Sequence, residues 1–203
     1  MRSLSEIETA VKRASRAVGF SWGNSEDVGK SIRLLELFGL QGIKNLNQYY
    51  ADKQKKQFED LNLISEKNEP SSEAYCPIIL GISFLDQIKS LENFEIIRFE
   101  KIAYPVIFLS FLSRASEISG KKIYAKFDKN EILLNLNLNI CSSFFNQEFP
   151  KLVDKVEIKF LTNQDNFTEI EWNSLYKLAE NTFVEESDSL KQGAAGAGLT
   201  DND

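Results

Sequence analysis

The stretch KKIYAKFDKNEILLNLNLNI, residues 121–140, constrains the fold more than any other part of the chain. Apolar and polar residues alternate on both sides of DKN. A strand has a side-chain period of two, so each run offers one face to a core and one to water. Two such runs around a short polar turn read as a β-hairpin. In LNLNLNI every second residue is leucine or isoleucine, with asparagines on the other face. VEIKFL (156–161) alternates in the same way, and FEIIRF (94–99) is rich in β-branched and aromatic residues, so both are expected to be strands. YPVIFLSFL (104–112) is almost continuously apolar and fits either a central strand or the entry to a buried helix, while SRASEIS (113–119) has a helical pattern.

Helical periods flank these strands. Ser3 and Ser5 each precede a glutamate by three residues, Glu6 and Glu8, the spacing of a capping box. Leu4, Ile7, Val11, Ala14 and Val18 then recur on one helical face, and Gly19 stands where a C′ glycine belongs. A first helix over about 4–18 follows. After the loop GFSWGN, Asn24 or Ser25 can cap a second helix, with Glu26 and Asp27 in a first turn that favours acids. Val28, Ile32, Leu35 and Phe38 form its buried stripe and Gly39 its end. A third helix is expected over about 43–58, then a polar surface loop, SEKNEPSSEA, and a last helix over 169–184 with Ile170, Leu175, Leu178 and Phe183 among its apolar positions. Helices, then mostly adjacent strands, then one helix describe an α+β protein with a largely antiparallel sheet. The expected organisation is one domain over 1–203, with a helical segment at 1–60, a sheet-containing body at 74–184 and an extended acidic tail at 185–203.

Composition removes several chemistries. The chain has no histidine, which excludes Ser-His-Asp and Cys-His nucleophile systems and most zinc sites. Acid–base work would fall to carboxylate, lysine, tyrosine or thiol. Cys76 and Cys141 lie in unlike contexts with no CxxC spacing, as buried thiols in a reducing compartment would. A reactive Cys76 would need a cationic neighbour, and AYCPI supplies none. No apolar run approaches the roughly 20 residues of a membrane helix, and MRSLSEIETAVKRAS lacks a secretory core, so the chain is expected to be cytoplasmic. The net charge of -6 is uneven, with residues 1–60 slightly basic and the rest acidic, so the chain as a whole repels phosphate polymers.

Two glycine-bracketed segments draw a functional reading. The tail GAAGAGLTDND places Gly193, Gly196 and Gly198 in a GxxGxG pattern, but only five residues follow, too few for the helix a phosphate-cradling loop needs. The glycines could instead let the tail lie flat and deliver Thr200, Asp201, Asn202 and Asp203 to a fixed place. Asp201, Asp203 and the terminal carboxylate could take a hard cation, although DND alone specifies no metal. FSWG, Phe20 to Gly23, puts an indole and a serine hydroxyl beside a helix N-terminus: either a tryptophan packed over two helix ends or a ligand shelf. Arg98, Lys101 and Arg114 flank the apolar middle and read either as rim ion pairs or as bidentate anion holders.

LSEIETAVKRASRAVGFSWGNSEDVGKSIRLL and AENTFVEESDSLKQGAAGAGLTDND together resemble an uncharacterised bacterial domain-of-unknown-function family whose members open with LNEIE…KRA…G.SWG.AEE.G and close with TYVP.S..S…GAGAG.TDND. The resemblance falls on Glu6, Glu8, Lys12, Arg13, Ser21, Trp22, Gly23, Glu26, Gly29 and the tail from Gly193. The chain departs from it at Phe183, for a tyrosine, and at Glu185, for a proline. It implies that both blocks are family features and supplies no activity.

The expected protein is therefore a cytoplasmic small-molecule metabolic protein, enzyme or accessory subunit, whose pocket joins the 20–26 loop to the tail. Glu26 and Asp201 would be its acid–base pair, one with a pKa raised by burial or by the other's charge. Ser21, Trp22, Gly196, Gly198, Thr200 and Asn202 would hold the ligand. The rival is an interaction protein whose acidic tail docks into a partner enzyme. A helix-turn-helix regulator comes third, weakened by the acids that open its recognition helix. A homodimer is compatible with the sequence, no cofactor is specified, and neither membrane nor nucleic acid is expected as a partner.

Overall fold

The N-terminal helices form where their caps say. The computed structural model describes residues 2–71, 73–134, 149–162 and 167–182, and the backbone of 140–142. Helix α1 (Leu4–Ala17) starts at Ser3, whose hydroxyl accepts from the Glu6 N–H, and ends at Gly19 with φ 103°. Glu6 turns to Arg2 at 2.7 Å rather than back to the cap, so only half of the capping box forms. Helix α2 (Trp22–Leu37) begins earlier than expected, because Ser21 caps it by accepting from the Asn24 N–H, so Glu26 and Asp27 lie beyond its first turn. Helix α3 (Gly42–Lys53) is shorter than the expected span and stops at the polar run QKKQ, which has no apolar face to bury.

Among the described residues the sheet has six strands, in the order β1-β2-β6-β3-β4-β5. They are β1 (Lys67–Asn68), β2 (Ile97–Ala103), β3 (Lys122–Phe127), β4 (Asn130–Leu134), β5 (Ile140–Ser142) and β6 (Leu152–Leu161). All neighbours are antiparallel except β1 and β2. The hairpin around DKN is β3–β4, with Asp128 at φ 51° in its turn. The α+β class with a largely antiparallel sheet is what the alternation required.

The ambiguous segment 104–112 belongs to a helix, α6 (Pro105–Ser119). Alternation could not find it, since its first nine residues are all buried. Leu109, Leu112 and Ala115 meet the sheet through Phe99, Ile123 and Ile158, whereas Val106, Ile107 and Phe111 belong to a second core with Val28, Ile32 and Tyr49 of α2 and α3. So α6 is a central rod between the sheet and the N-terminal helices. Helix α4 (Pro77–Asp86), which sequence pattern did not reveal, packs beside it. A Cβ on Gly81 would lie 2.3 Å from the Phe111 ring, so the crossing requires glycine there. A single turn, α5 (Ile88–Leu91), leads on from α4.

The chain divides into two compact units, residues 1–163 and 164–203. In the second, helix α7 (Glu169–Glu180) is started by a complete capping box between Thr168 and Glu171. Phe183 lies outside the described residues.

Candidate functional site

Ser21, Trp22 and Glu26 have local structural tasks. The Ser21 hydroxyl is spent on the α2 cap. Trp22 is 59% exposed, and the Arg16 guanidinium carbon lies 5.6 Å from its ring centroid. Arg16 also donates to the Phe20 carbonyl at 2.9 Å, which closes the turn between α1 and α2. Glu26 receives Lys30 and Lys12, each at 3.0 Å. Those two hydrogen bonds, Lys30 first, lower its pKa to about 2. A proton carrier near neutral pH needs the opposite shift. Asp201, Gly196, Gly198, Thr200 and Asn202 lie outside the described residues.

The rest of the N-terminal block stitches α1 to α2. Lys12 pairs with Glu26 at one level and Arg33 with Glu8, at 2.9 Å, at another. The low-to-high pairing of these positions makes the two helices an antiparallel hairpin joined along its length. Between the levels sits Gly29, whose added Cβ would lie 2.9 Å from the Glu8 carbonyl oxygen, so only glycine allows this approach. Glu26, one of the acids that weakened the helix-turn-helix reading, is thus engaged with Lys12 of the first helix. Of the cations flanking the apolar middle, Arg98 meets Glu157 at 3.2 Å and Arg114 meets Asp27 at 2.7 Å.

The third of those cations, Lys101, opens onto a different place. A cleft of about 310 Å³ lies at the start of α6, lined by Asp52, Lys56, Phe58, Lys101, Tyr104 and Lys151. Glu73 is also on its wall. Asp52 comes from the last turn of α3, Lys56 from the turn beyond it, Lys101 from β2, Tyr104 from the N-cap of α6 and Lys151 from the residue before β6. Among the described residues, none of the three lysines forms an ion pair. Lys12, Lys30, Arg33, Arg98, Arg114 and Lys121 each have a carboxylate oxygen within 3.2 Å, whereas other surface lysines, Lys89 and Lys122 among them, form no ion pair among the described residues either, so it is their gathering on one wall that sets the three apart. Three lysines facing Asp52 and Glu73 leave this wall positive in a chain of net charge -6.

The cleft is held in a costly conformation. Lys101 has φ 49° and Tyr104 φ 45°, left-handed backbone at residues with a Cβ, at about 1–2 kcal/mol each. Hydrogen bonds fix both: the Tyr75 N–H donates to the Lys101 carbonyl at 2.8 Å, and the Tyr104 N–H to the Lys151 carbonyl at 2.8 Å. Outliers of this kind gather at sites where geometry matters more than stability. The Tyr104 hydroxyl donates to Asp52 Oδ2 at 2.6 Å. That bond, with Lys151, Lys56 and Lys55 nearby, holds the Asp52 carboxyl below its usual range. Burial, then the Asp52 bond, pushes the Tyr104 phenol up, so it remains a donor at neutral pH.

Behind the cleft lies a layer of buried aromatic rings. The Tyr49 ring meets Tyr104 edge-on at 5.7 Å and Phe58 at 5.2 Å. The Tyr49 hydroxyl and Cys76 Sγ are hydrogen-bonded at 3.0 Å, and Sγ accepts from the Ile79 N–H at 3.4 Å as the cap of α4. Burial raises the Cys76 pKa, so this thiol is a structural cap rather than a nucleophile.

Residues 2–75 match the model of a family described as a protein of unknown function (DUF3726). The match spans α1 to α3, β1 and the loop to Tyr75, and so takes in the stitched hairpin, Asp52 and Lys56; Lys101, Tyr104, Lys151 and the tail lie beyond it. No curated protein and no solved structure matches the chain.

Sequence reasoning missed this cleft because its lining is gathered from distant segments. One local signal was available: Lys101 interrupts the alternation of β2, leaving Ile102 and Ala103 both buried. Among the described residues no group of three or more His, Cys, Asp and Glu could hold a metal ion, and no helix is long and apolar enough to cross a membrane.

Proposed function

We propose that this is a small-molecule-binding protein whose site is the cleft at the start of α6 and whose ligand is a small organic anion. The observation that carries this reading is the convergence on one concave wall of Lys56, Lys101 and Lys151, none of which forms an ion pair among the described residues, although the Lys56 ammonium lies 5.1 Å from the Phe58 ring centroid. Cations in a cleft with no carboxylate in ion-pair range focus a positive field there, and this draws anions even to a protein of negative net charge. The volume lies at the lower end of small-molecule sites. Asp52, ionised and oriented by Tyr104, gives the wall one fixed acceptor. Neither Asp52 nor Tyr104 carries a shift toward proton transfer near pH 7, so binding rather than acid–base chemistry is the activity supported. Calorimetric titration of the full chain with inorganic phosphate and with succinate tests it. At least one should bind, and Lys101→Ala with Lys151→Ala should weaken it tenfold or more. No binding of either anion, or binding that ignores the double variant, overturns the reading.

An interaction protein is the second reading. It is favoured by Trp22, exposed beside Arg16, a pairing common at interface hot spots. Sedimentation of the full chain tests the self-association form of this reading. A dimer that Trp22→Ala dissociates, with anion binding at the cleft intact, would support it, and a monomer at all concentrations would remove that form.

A further inference from the structure

Resting on the reading of the cleft as an anion site, we propose that its ligand is a phosphomonoester bearing a hydroxyl group, and that Asp52 is the residue that selects the hydroxyl. The number of cations argues for phosphate. A phosphomonoester gathers close to two negative charges on three oxygens, and an ammonium is a point charge with freely turning donors. The cleft carries three lysines from three separate segments of chain, one donor group for each oxygen of a tetrahedral dianion.

Asp52 argues for the hydroxyl. A carboxylate among lysines opposes an anionic group laid against it, so the phosphate belongs on the lysine side. Tyr104 fixes Oδ2 at 2.6 Å, and no other described side chain bonds to this carboxylate. Its second oxygen is an acceptor on the cleft wall, and it rewards a ligand that brings a donor. The wall already carries one positive charge in excess, so a neutral hydroxyl suits it better than an ammonium on the ligand. A site built to accept a hydrogen bond rejects analogues that lack the donor more strongly than a hydrophobic pocket rejects a change of size.

Calorimetry on the full chain with glycerol 3-phosphate, propyl phosphate and succinate, for the wild type and Asp52→Asn, decides the matter. Glycerol 3-phosphate should bind at least tenfold more tightly than propyl phosphate, which has the same carbon count and no hydroxyl. Asp52→Asn should remove most of that gap while propyl phosphate binds as well as before or better, since a repelling charge is gone. The asparagine carbonyl can still accept from Tyr104, and a native circular-dichroism spectrum with a cooperative melt, lower in temperature by the lost charge, would show that the fold is intact. Equal affinity for the two esters in the wild type overturns the proposal, as does an equal loss for both in the variant. If succinate binds and neither ester does, the phosphate class falls while the anion site stands. If nothing binds, both fall.

Discussion

The Tyr104 hydroxyl donates to Asp52 Oδ2 at 2.6 Å, and so ties the last turn of α3 to the residue that starts α6. One bond thereby joins the N-terminal helices to the central rod and fixes a carboxylate on the wall of the lysine cleft.

Removing that bond has a pH signature. The folded pKa of Asp52 lies below its unfolded value of about 4, so the stability it adds is complete above that pH and is lost as the pH falls through the folded value. Tyr104→Phe should cost about 1–3 kcal/mol at pH 7, the worth of a hydrogen bond to a charged group. The cost should shrink as the pH falls below about 4. Denaturant melts of both proteins across this range check it, and a cost independent of pH would contradict the assignment.

Lys101→Gly separates stability from function. Glycine accepts φ 49° without strain, and the relief of about 1–2 kcal/mol exceeds its extra unfolded-state entropy of about 0.5–1. The variant should be more stable by about 0.5–1 kcal/mol and should bind anions several-fold more weakly. A less stable variant, or one with full affinity, would show that the backbone strain has no part in the site.

The glycines of the N-terminal block should respond in opposite directions. Gly29→Ala drives a Cβ to 2.9 Å from the Glu8 carbonyl and should destabilise by about 1–3 kcal/mol, despite the gain in helix propensity. Gly23 has nothing within 4 Å of its Cβ position and is helical, so Gly23→Ala should stabilise by about 0.5 kcal/mol. Thermal melts of the two variants give the comparison directly.

Glu26 should behave as an anchor. Carboxyl-carbon NMR should find it ionised down to about pH 2, and Glu26→Gln should leave anion affinity at the cleft unchanged. A midpoint near neutral pH would favour the acid–base role expected from sequence.

The division between what local pattern revealed and what it concealed has a physical cause. Caps and turns are local chemistry, so Ser3, Gly19, Gly39 and the DKN turn marked real boundaries, and alternation found β3, β4 and β6 where one face is wet. Helices α4 and the first part of α6 are apolar on nearly every side, so no period distinguishes them. Local pattern places the cap of α2 three or four positions too late, at Asn24 or Ser25, because Ser21, Asn24 and Ser25 are all capable caps and the pattern cannot choose among them. The family-like block was legible as residues but not as a purpose: Glu8, Lys12, Glu26 and Gly29 hold a hairpin together. The cleft was the least legible feature, because antiparallel pairing of β2 with β6 is what carries Lys151 to Tyr104.

The most direct test of the central claim is an NMR titration of the full chain with inorganic phosphate at constant ionic strength, following the backbone amides. Saturable shifts should centre on Lys56, Lys101, Tyr104 and Lys151. Saturable shifts centred instead on Ser21 to Glu26, or a uniform drift with no saturation, would contradict it.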